Sequence, residues 1–282
     1  MDEGTASLGA CLDCGAELHG RYCSACGQRG GPRDLRLLHV LEEMVHDLSH
    51  FDGRLLRTLR LMLLRPGQVT AEYLAGRRTR HVPPFRLYVF ISFVLFLLLG
   101  FAPARKGAPA AHGPAAVRVA EDVPVDADIR VEGIPHAEQL RKGVLWAKED
   151  PRAFREALLH WTSRAMFVLL PTFAALLFLA FFRSRRYFVE HVIFSLHVHA
   201  FAFSVFILQR LLDLVPWEPA GSAGSWLILA LPVHLGLAMK RVYGGPAWKI
   251  VLKGALISAA YLILVLVVLF GALLWVLDHG GH

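Results

Sequence analysis

Four cysteines have the spacing that most directly indicates chemistry in this sequence. They are Cys11, Cys14, Cys23 and Cys26, in the pattern C-x2-C-x8-C-x2-C, and a glycine follows each pair. Two thiolates separated by two residues can bind one tetrahedral ion, and four thiolates fill its shell without leaving a position for substrate. The sequence therefore predicts a structural zinc ribbon in residues 1–31. So short a segment cannot build a core, and we expect Zn²⁺ binding to drive its folding.

Two disulfides or a redox-active pair are the alternatives for these cysteines. A reducing cytoplasm disfavours disulfides. Paired knuckles, each followed by glycine, fit zinc better than redox chemistry. His19 is a further possible ligand, but four cysteines make it unnecessary.

A second group of ionisable residues lies inside apolar sequence, where charge is costly and usually has a reason. Its centre is the segment VEHVIFSLHVHAFAF, residues 189–203, inside a run long enough to cross a bilayer. The candidate intramembrane polar site consists of Glu190, His191, Ser195, His197, His199, Gln209, Arg210, Asp213 and, from a later apolar block, His234.

These polar residues divide into two stripes when the segment is drawn as a helix. The wider stripe holds His191, Ser195, His199, Gln209, Arg210 and Asp213, and the weaker one holds Glu190, His197 and Ser204. His191 and His199 are about 12 Å apart along the axis, so they cannot share one ion. A metal site would need a partner from another helix, and His234 is the candidate. Hydrogen-bonded packing, a proton or solute pathway, and a metal or haem site all stay open.

Membrane helices are the elements that must position these groups. The 282-residue chain is 55% hydrophobic, with a mean hydropathy of +0.46, which is too apolar for an ordinary soluble domain. The net charge of +7 does not indicate nucleic acid, because the basic residues lie beside apolar segments. There they set topology and contact anionic lipid. We predict an all-α polytopic membrane protein.

Five apolar blocks follow, at residues 85–101, 166–182, 192–215, 226–239 and 250–277. A span needs about 20 residues, and the fourth block is short and contains Pro232, so it is either a span or re-entrant. Lys and Arg precede the first block and occupy the connections after the second and fourth, but are absent after the third and fifth. This alternation predicts five spans in a bacterial inner membrane, with the N-terminus cytoplasmic and the C-terminus outside.

The predicted domains follow these blocks along the chain. They are the ribbon (1–31), cytosolic or membrane-surface helices (32–83), the first span (84–103), an extracytoplasmic loop with a short helix (104–163) and the remaining bundle (164–282). Asp150 and Pro151 form a cap that begins the short helix, which we expect to merge with the second span. Residues 1–30 lack the apolar core of a signal peptide, so we expect the first span to direct insertion.

An amphipathic pattern precedes the first span. Arginines recur every three residues among leucines from Arg54 to Arg60, and Pro66 and Gly67 end the pattern. It predicts a helix on the membrane surface, with arginines towards anionic headgroups and leucines dipping in. A soluble helix packed on the ribbon is the alternative. The predicted headgroup contacts are Arg54, Arg57, Arg60, Arg77, Arg78 and Arg80.

Several of these segments together resemble one family. They are YCSACGQ (22–28), LLRTLRLMLLRPGQVTAEYLAGRRTRHVPPFRLYVFIS (55–92), LLPTFAALL, YFVEHVIFSLHVHAF and KRVYG. The chain resembles the DUF3667 family of bacterial membrane proteins over most of its length, except around residues 102–150. The resemblance implies the architecture and that the His-rich segment is a feature of the family, but it implies no activity.

Three functions fit these patterns. The first, which we favour, is a non-enzymatic membrane protein whose ribbon and amphipathic helix recruit an unknown protein partner or sense lipid, in a regulatory or assembly role. The second is a small transporter or proton-coupled channel, which with five spans would need a homo-oligomer. The third is a membrane metal or haem enzyme, although no HExxH, GxSxG, Walker or paired-carboxylate motif occurs.

Overall fold

A computed structural model of the chain describes residues 9–30, 53–100, 137–213 and 226–279. Within these ranges the chain is helical except for residues 9–30 and short connections, and it forms no β-strand. The helices are α1 (Arg54–Leu64), α2 (Gln68–Leu74), α3 (Pro84–Gly100), α4 (Ala137–Glu149), α5 (Pro151–Ala180), α6 (Phe188–Asp213), α7 (Ala230–Tyr243) and α8 (Ala247–His279), with 3-10 turns at Phe182–Ser184 and Leu227–Leu229. Residues 32–52, the first part of the segment predicted to form cytosolic or membrane-surface helices, lie outside the described ranges.

Three of these helices, α5, α6 and α8, are long and apolar enough to cross a membrane. The first and fourth predicted spans are shorter. α3 is apolar but has 17 residues, and α7 has 14. Five spans therefore stay a prediction, while the all-helical character of the described apolar blocks is shown.

Local signals in the sequence place several helix ends. α1 ends before Pro66, as expected, and Gly67 adopts a left-handed φ of 73°. The Asp150 carboxylate accepts hydrogen bonds from the backbone N–H groups of Arg152 and Ala153, at 3.2 and 3.0 Å. α5 then runs without interruption to Ala180, so the predicted short helix does merge with the second apolar block. The pattern did not predict α4, which we had assigned to a loop.

The chain divides into two compact units, Met1–Leu95 with Leu170–Ala259, and Phe96–Leu169 with Ala260–His282. In the first unit α6 is the enclosed helix. In an apolar stretch of 18 residues, 61% of α6 is buried, whereas the corresponding shares are 28% for α5 and 11% for α8. Phe194 and Leu177 are fully buried in this unit. A helix that is polar on two faces is thus surrounded mostly by protein.

α7 packs closely on the turn between α1 and α2. A Cβ at Gly67 would lie 2.7 Å from the Ala238 Cα, so only glycine fits both the space and the left-handed φ. Arg241 donates a 2.6 Å hydrogen bond to the Pro66 carbonyl beside this contact. Because backbone atoms meet at this contact, no side chain can move aside to change the distance between α7 and the turn.

Two further basic residues of the first unit bind carbonyls at helix ends. Lys253 donates to the Ala180 carbonyl at 2.7 Å, where α5 ends. Arg186 donates to the Val242 carbonyl at 2.6 Å, near the end of α7. Cations are favourable at helix C-termini, because the last carbonyls are unpaired and the helix dipole is negative there. These basic residues, which the sequence analysis used to predict topology, therefore also join helices.

The second unit has its own apolar cluster of Ala147, Phe154, Leu158 and Val276. Trp161 and Trp275 lie beside each other there, with ring centroids 5.4 Å apart. α4 and α8 approach closely at Gly143, where an added Cβ would meet the Leu277 backbone. α4 is therefore part of a packed unit rather than an extended loop.

Candidate functional site

The four cysteine sulfurs lie together. All four Sγ atoms are within 4.8 Å of one another, and the Cys11–Cys26 and Cys14–Cys23 pairs are 3.5 Å apart. In a regular tetrahedron with Zn–S bonds of about 2.3 Å, the sulfurs lie about 3.8 Å apart. All four are free thiols. The residues therefore fit a single tetrahedral metal ion, and the predicted ligand set is brought together.

Two knuckles of matching geometry build this cluster. The Gly15 N–H donates to the Cys11 carbonyl at 2.9 Å, and the Gly27 N–H donates to the Cys23 carbonyl at 2.8 Å. Both glycines have left-handed φ angles, 78° and 74°. Each knuckle closes with one antiparallel bridge, Ala10 with Glu17 and Tyr22 with Arg29, instead of strands. The structure thus repeats a unit at an offset of twelve residues, which the sequence analysis missed.

Backbone groups already favour ionisation of one thiol. Hydrogen bonds from the backbone of Cys14 and Asp13 lower the pKa of Cys11 to about 7. Desolvation raises the pKa of Cys26 to about 12. A bound divalent cation removes such a proton, because metal ligation stabilises the thiolate.

The first knuckle docks onto residues 76–83, which we call the hinge segment because it leads into α3. Asp13 is the docking residue. Its carboxylate accepts a 2.5 Å hydrogen bond from the Thr79 hydroxyl and lies 3.5 Å from Arg80 Nε, and its carbonyl accepts from Arg80 Nη2 at 2.8 Å. The side chain of Asp13 is 3% exposed. Charge-assisted bonds of this kind are about twice as strong as neutral ones.

The second knuckle docks through Gln28. Its amide donates to the Gly76 carbonyl at 2.8 Å and accepts from the Arg78 backbone N–H at 3.3 Å. In the twelve-residue repeat, Asp13 corresponds to Ala25 and Gln28 to Ala16. The two side chains that hold the hinge segment therefore each have alanine at the corresponding position of the other knuckle.

Two buried contacts fix the other side of the hinge segment. Thr58 of α1 is fully buried, and its hydroxyl accepts a 3.1 Å hydrogen bond from the Val82 backbone. His81 is 1% exposed and lies 2.7 Å from the Glu72 carboxylate. Burial opposes ionisation of Glu72, but hydrogen bonds from Gln68 and His81 outweigh it and lower the pKa of that carboxyl. The hinge segment is thus bound between the ribbon and the α1–α2 pair.

The predicted headgroup arginines have different surroundings. Arg80 binds Asp13, and Arg54 donates to the Thr79 carbonyl at 3.4 Å. Arg78 lies 5.1 Å from the centroid of the Tyr73 ring. The remaining three, Arg57, Arg60 and Arg77, are exposed. Headgroup contact stays a prediction for this set, but some of its members also hold the hinge segment.

The wider stripe of α6 makes contacts within the first unit. His191 Nδ1 is 2.9 Å from the Tyr243 hydroxyl, and Ser195 donates to the Leu170 carbonyl at 3.1 Å. His199 Nδ1 donates to the Ser195 carbonyl at 2.8 Å. Gln209 and Arg210 are half-buried, and the Asp213 side chain lies outside the described part of the chain.

In the weaker stripe, His197 contacts α2, whereas Glu190 pairs with a residue just before α6. Glu190 pairs with Arg186 at 3.0 Å, and His197 Nδ1 is 3.0 Å from the Thr70 hydroxyl. His234 donates from Nε2 to the Met62 carbonyl at 3.1 Å and shares a cavity of about 10 Å³ with His197. The structure therefore places His234 beside the histidine of the weaker stripe. The only group of metal-ligating residues found in the described part of the chain is the cysteine cluster.

Fold and site together define a helical protein with apolar helices long enough to cross a membrane and a four-cysteine cluster that could hold a metal ion. A family model described as "Protein of unknown function (DUF3667)" matches residues 52–96, which confirms the resemblance to that family. The match covers α1, α2, the hinge segment and most of α3. Comparisons with curated proteins and with solved structures gave no match.

Proposed function

We propose that this is a non-enzymatic protein of the bacterial inner membrane whose cytosolic zinc ribbon recruits a protein partner in a regulatory or assembly role. One observation carries the proposal, namely that Asp13 and Gln28 dock the ribbon on the hinge segment directly before α3. A closed four-thiolate shell leaves no position for substrate, so the metal's part is to fold the ribbon.

The positions of Asp13 and Gln28 support the idea that docking of the ribbon on the hinge segment depends on the metal. Asp13 lies between Cys11 and Cys14, and Gln28 follows Cys26 by two residues. A ribbon too small for a core loses its fold with its metal, and both docking side chains would then lose their positions. Metal loss would release the hinge segment, and this is the physical basis for regulation.

The basic residues support the proposed topology. Arg186, Arg241 and Lys253 come from the connections that the Lys/Arg rule assigns to the cytoplasm, or lie next to them. Each donates to a carbonyl at or just beyond the C-terminal end of a helix. A common cytoplasmic face for these ends, the ribbon and the hinge segment is consistent with five spans.

For the polar residues of α6 we propose a packing role. His191, Ser195 and His197 each have a hydrogen-bonding partner on another helix of the first unit, whereas His199 bonds within α6 to the Ser195 carbonyl. Interhelical hydrogen bonds in membranes contribute about 0.6 kcal/mol on average. Such contacts fix the register of the helices and need no transported solute.

The partner surface proposed for the ribbon contains Leu12 and Tyr22, whose exposed fractions are 57% and 64%. The test is in-cell crosslinking of the full chain, followed by mass spectrometry. We expect one set of crosslinks to be lost both in Cys14→Ser and in Leu12→Ser/Tyr22→Ser, the latter still binding metal. Glu17→Gln, an exposed change on the same ribbon, is the control. The same crosslinks after deletion of residues 1–31 would contradict the proposal.

A further inference from the structure

A cavity of about 460 Å³ lies between α1, α2 and the hinge segment. Its lining residues are Arg57, Arg60, Leu61, Leu64, Arg65, Gln68, Glu72, Arg80 and His81. Four are arginines and one is a carboxylate. Glu72 already accepts hydrogen bonds from Gln68 at 2.8 Å and His81 at 2.7 Å, so each of its carboxylate oxygens has a partner within the protein.

Two of the arginines carry no compensating charge. Arg57 and Arg60 lie three residues apart on α1 and so share one face of that helix. Both are exposed, and neither has a hydrogen bond or ion pair with any residue that the structure describes. Arg65 reaches only Gln68, at 3.5 Å. Unpaired guanidinium groups around one cavity repel each other until an anion binds.

His81 supplies an independent sign of a ligand. Its side chain is 1% exposed and lines the cavity, and its Nε2 bonds to Glu72. Its Nδ1 is buried and has no hydrogen-bond partner in the described part of the chain. His191, His197 and His234 also have a buried ring nitrogen without a partner among the described residues, but His81 lines a cavity beside four arginines, where an anion would supply the missing partner. A protonated ring would donate from Nδ1 to an anion oxygen.

The chemistry of the lining selects among anions. Guanidinium groups bind phosphate oxygens in pairs, with a geometry that a lysine cannot reproduce. Leu61 and Leu64 line the same cavity, and Leu64 is 69% exposed. Leucine beside arginine suits a phosphate that carries acyl chains, since a small soluble phosphate gains nothing from apolar surface.

We propose that this cavity binds the phosphate group of an anionic phospholipid. The inference rests on the proposed function, because it needs a protein of the inner membrane, and on the predicted position of α1 at the membrane surface. It goes beyond that function by assigning a bound lipid to one site rather than to a diffuse basic surface. Arg57 and Arg60 bind the phosphate, Leu61 and Leu64 contact its glycerol and acyl region, and Arg80 links the site to the ribbon through Asp13.

The test uses the purified full chain, with metal bound, in neutral detergent. Binding is measured for three probes, namely short-chain phosphatidylglycerol, short-chain phosphatidylcholine and glycerol phosphate. Arg57→Gln/Arg60→Gln removes two charges from the cavity, and Arg183→Gln/Lys249→Gln removes two exposed charges outside α1, α2 and the hinge segment. We expect the first pair to weaken phosphatidylglycerol binding by about tenfold or more, and the control pair to leave it within about twofold.

Each remaining outcome decides against the proposal. Equal losses in the two pairs would show attraction spread over the basic surface, and equal binding of glycerol phosphate would make the ligand a free phosphate. Equal binding of phosphatidylcholine would exclude recognition of anionic lipid. Arg57→Lys/Arg60→Lys keeps charge and fold, and unchanged affinity there would overturn guanidinium recognition. These measurements need no protein partner, so they fail or succeed separately from the crosslinking test.

Discussion

The hydroxyl of Thr79 donates a 2.5 Å hydrogen bond to the carboxylate of Asp13, a residue that lies 66 positions earlier in the chain. Asp13 sits inside the first cysteine knuckle, and Thr79 sits in the hinge segment before α3. This bond connects metal-dependent folding to the entry of the chain into the apolar helices. It also makes docking separable from metal binding, because neither residue is a ligand.

Asp13→Ala is expected to undock the ribbon while leaving its metal bound. The change removes the bond from Thr79 and the ion pair with Arg80, and hydrogen bonds to charged groups contribute about 1.5–3 kcal/mol. Hydrogen exchange of residues 76–81 should therefore become faster, with unchanged metal content. Ser24→Ala, in the second knuckle, is the control. Unchanged exchange in Asp13→Ala would show that the contact does not hold the hinge segment.

Cys14→Ser is expected to lose the metal and to undock the ribbon together. Three thiolates leave the tetrahedral shell open, and a segment without a core unfolds when its metal is lost. Elemental analysis should find one zinc per chain in the native protein and almost none in the variant. His19→Ala should keep its zinc, because His19 pairs only with Glu17, at 3.7 Å. If Cys14→Ser kept its zinc, the metal would have to bind somewhere other than the four-cysteine cluster.

Local signals explain what could be predicted from the sequence. The cysteine spacing, Pro66 with Gly67, and Asp150 with Pro151 each act within a few residues, and the structure agrees at all three places. α4 was missed because its sequence, AEQLRKGVLWAKE, is mostly polar and follows a stretch rich in Ala, Pro and Gly. Its few apolar residues are buried because they pack against the cluster that contains Phe154 and Val276, and the sequence of α4 alone does not show that cluster.

Contacts between distant segments could not be read in this way. Nothing near Asp13 or Gln28 in the sequence indicates a partner in the hinge segment. A helical wheel treats one helix alone, so it grouped His191 with His199 but could not show that His234 lies beside His197. The choice among neighbouring helices depends on packing, which a single sequence does not display.

Gly67→Ala is expected to destabilise the first unit by about 2 kcal/mol or more, because a left-handed conformation costs about 1–2 kcal/mol for an L-residue and the new methyl would overlap backbone. The Cβ would lie 2.7 Å from Ala238 Cα. Thermal unfolding of the purified chain measures the effect. Gly236→Ala, on the facing helix with open space around it, should be neutral or slightly stabilising. Equal melting temperatures for the two variants would contradict this close packing.

Stability should fall in acid through Glu72. Its pKa is lower in the folded chain than the ordinary 4.5, so its contribution is complete above that value and is lost as pH falls through the folded pKa. The melting temperature of Glu72→Gln should therefore depend less on pH in that acidic range than that of the native chain. Glu17→Gln, an exposed change, should leave the dependence intact. If the melting temperature changed with pH in the same way for the native chain and for Glu72→Gln, Glu72 would not be the cause of the loss of stability in acid.

The packing role of α6 can be tested at His191 and Tyr243. Their rings stack with centroids 5.4 Å apart, and His191 Nδ1 lies 2.9 Å from the Tyr243 hydroxyl. Phenylalanine at either position keeps the ring contact and removes the hydrogen bond. We expect each single change to cost about 0.6–1.7 kcal/mol of unfolding free energy.

A double-mutant cycle makes that expectation specific. If the two residues stabilise the protein mainly through their shared bond, His191→Phe/Tyr243→Phe should cost about as much as one single change. Phe178→Leu combined with Tyr243→Phe is the control pair, and its costs should come closer to adding. Unfolding in mild detergent measures all the variants. Strictly additive costs for the His191 and Tyr243 changes would mean that the bond contributes nothing, and His191 would then need a reason other than packing.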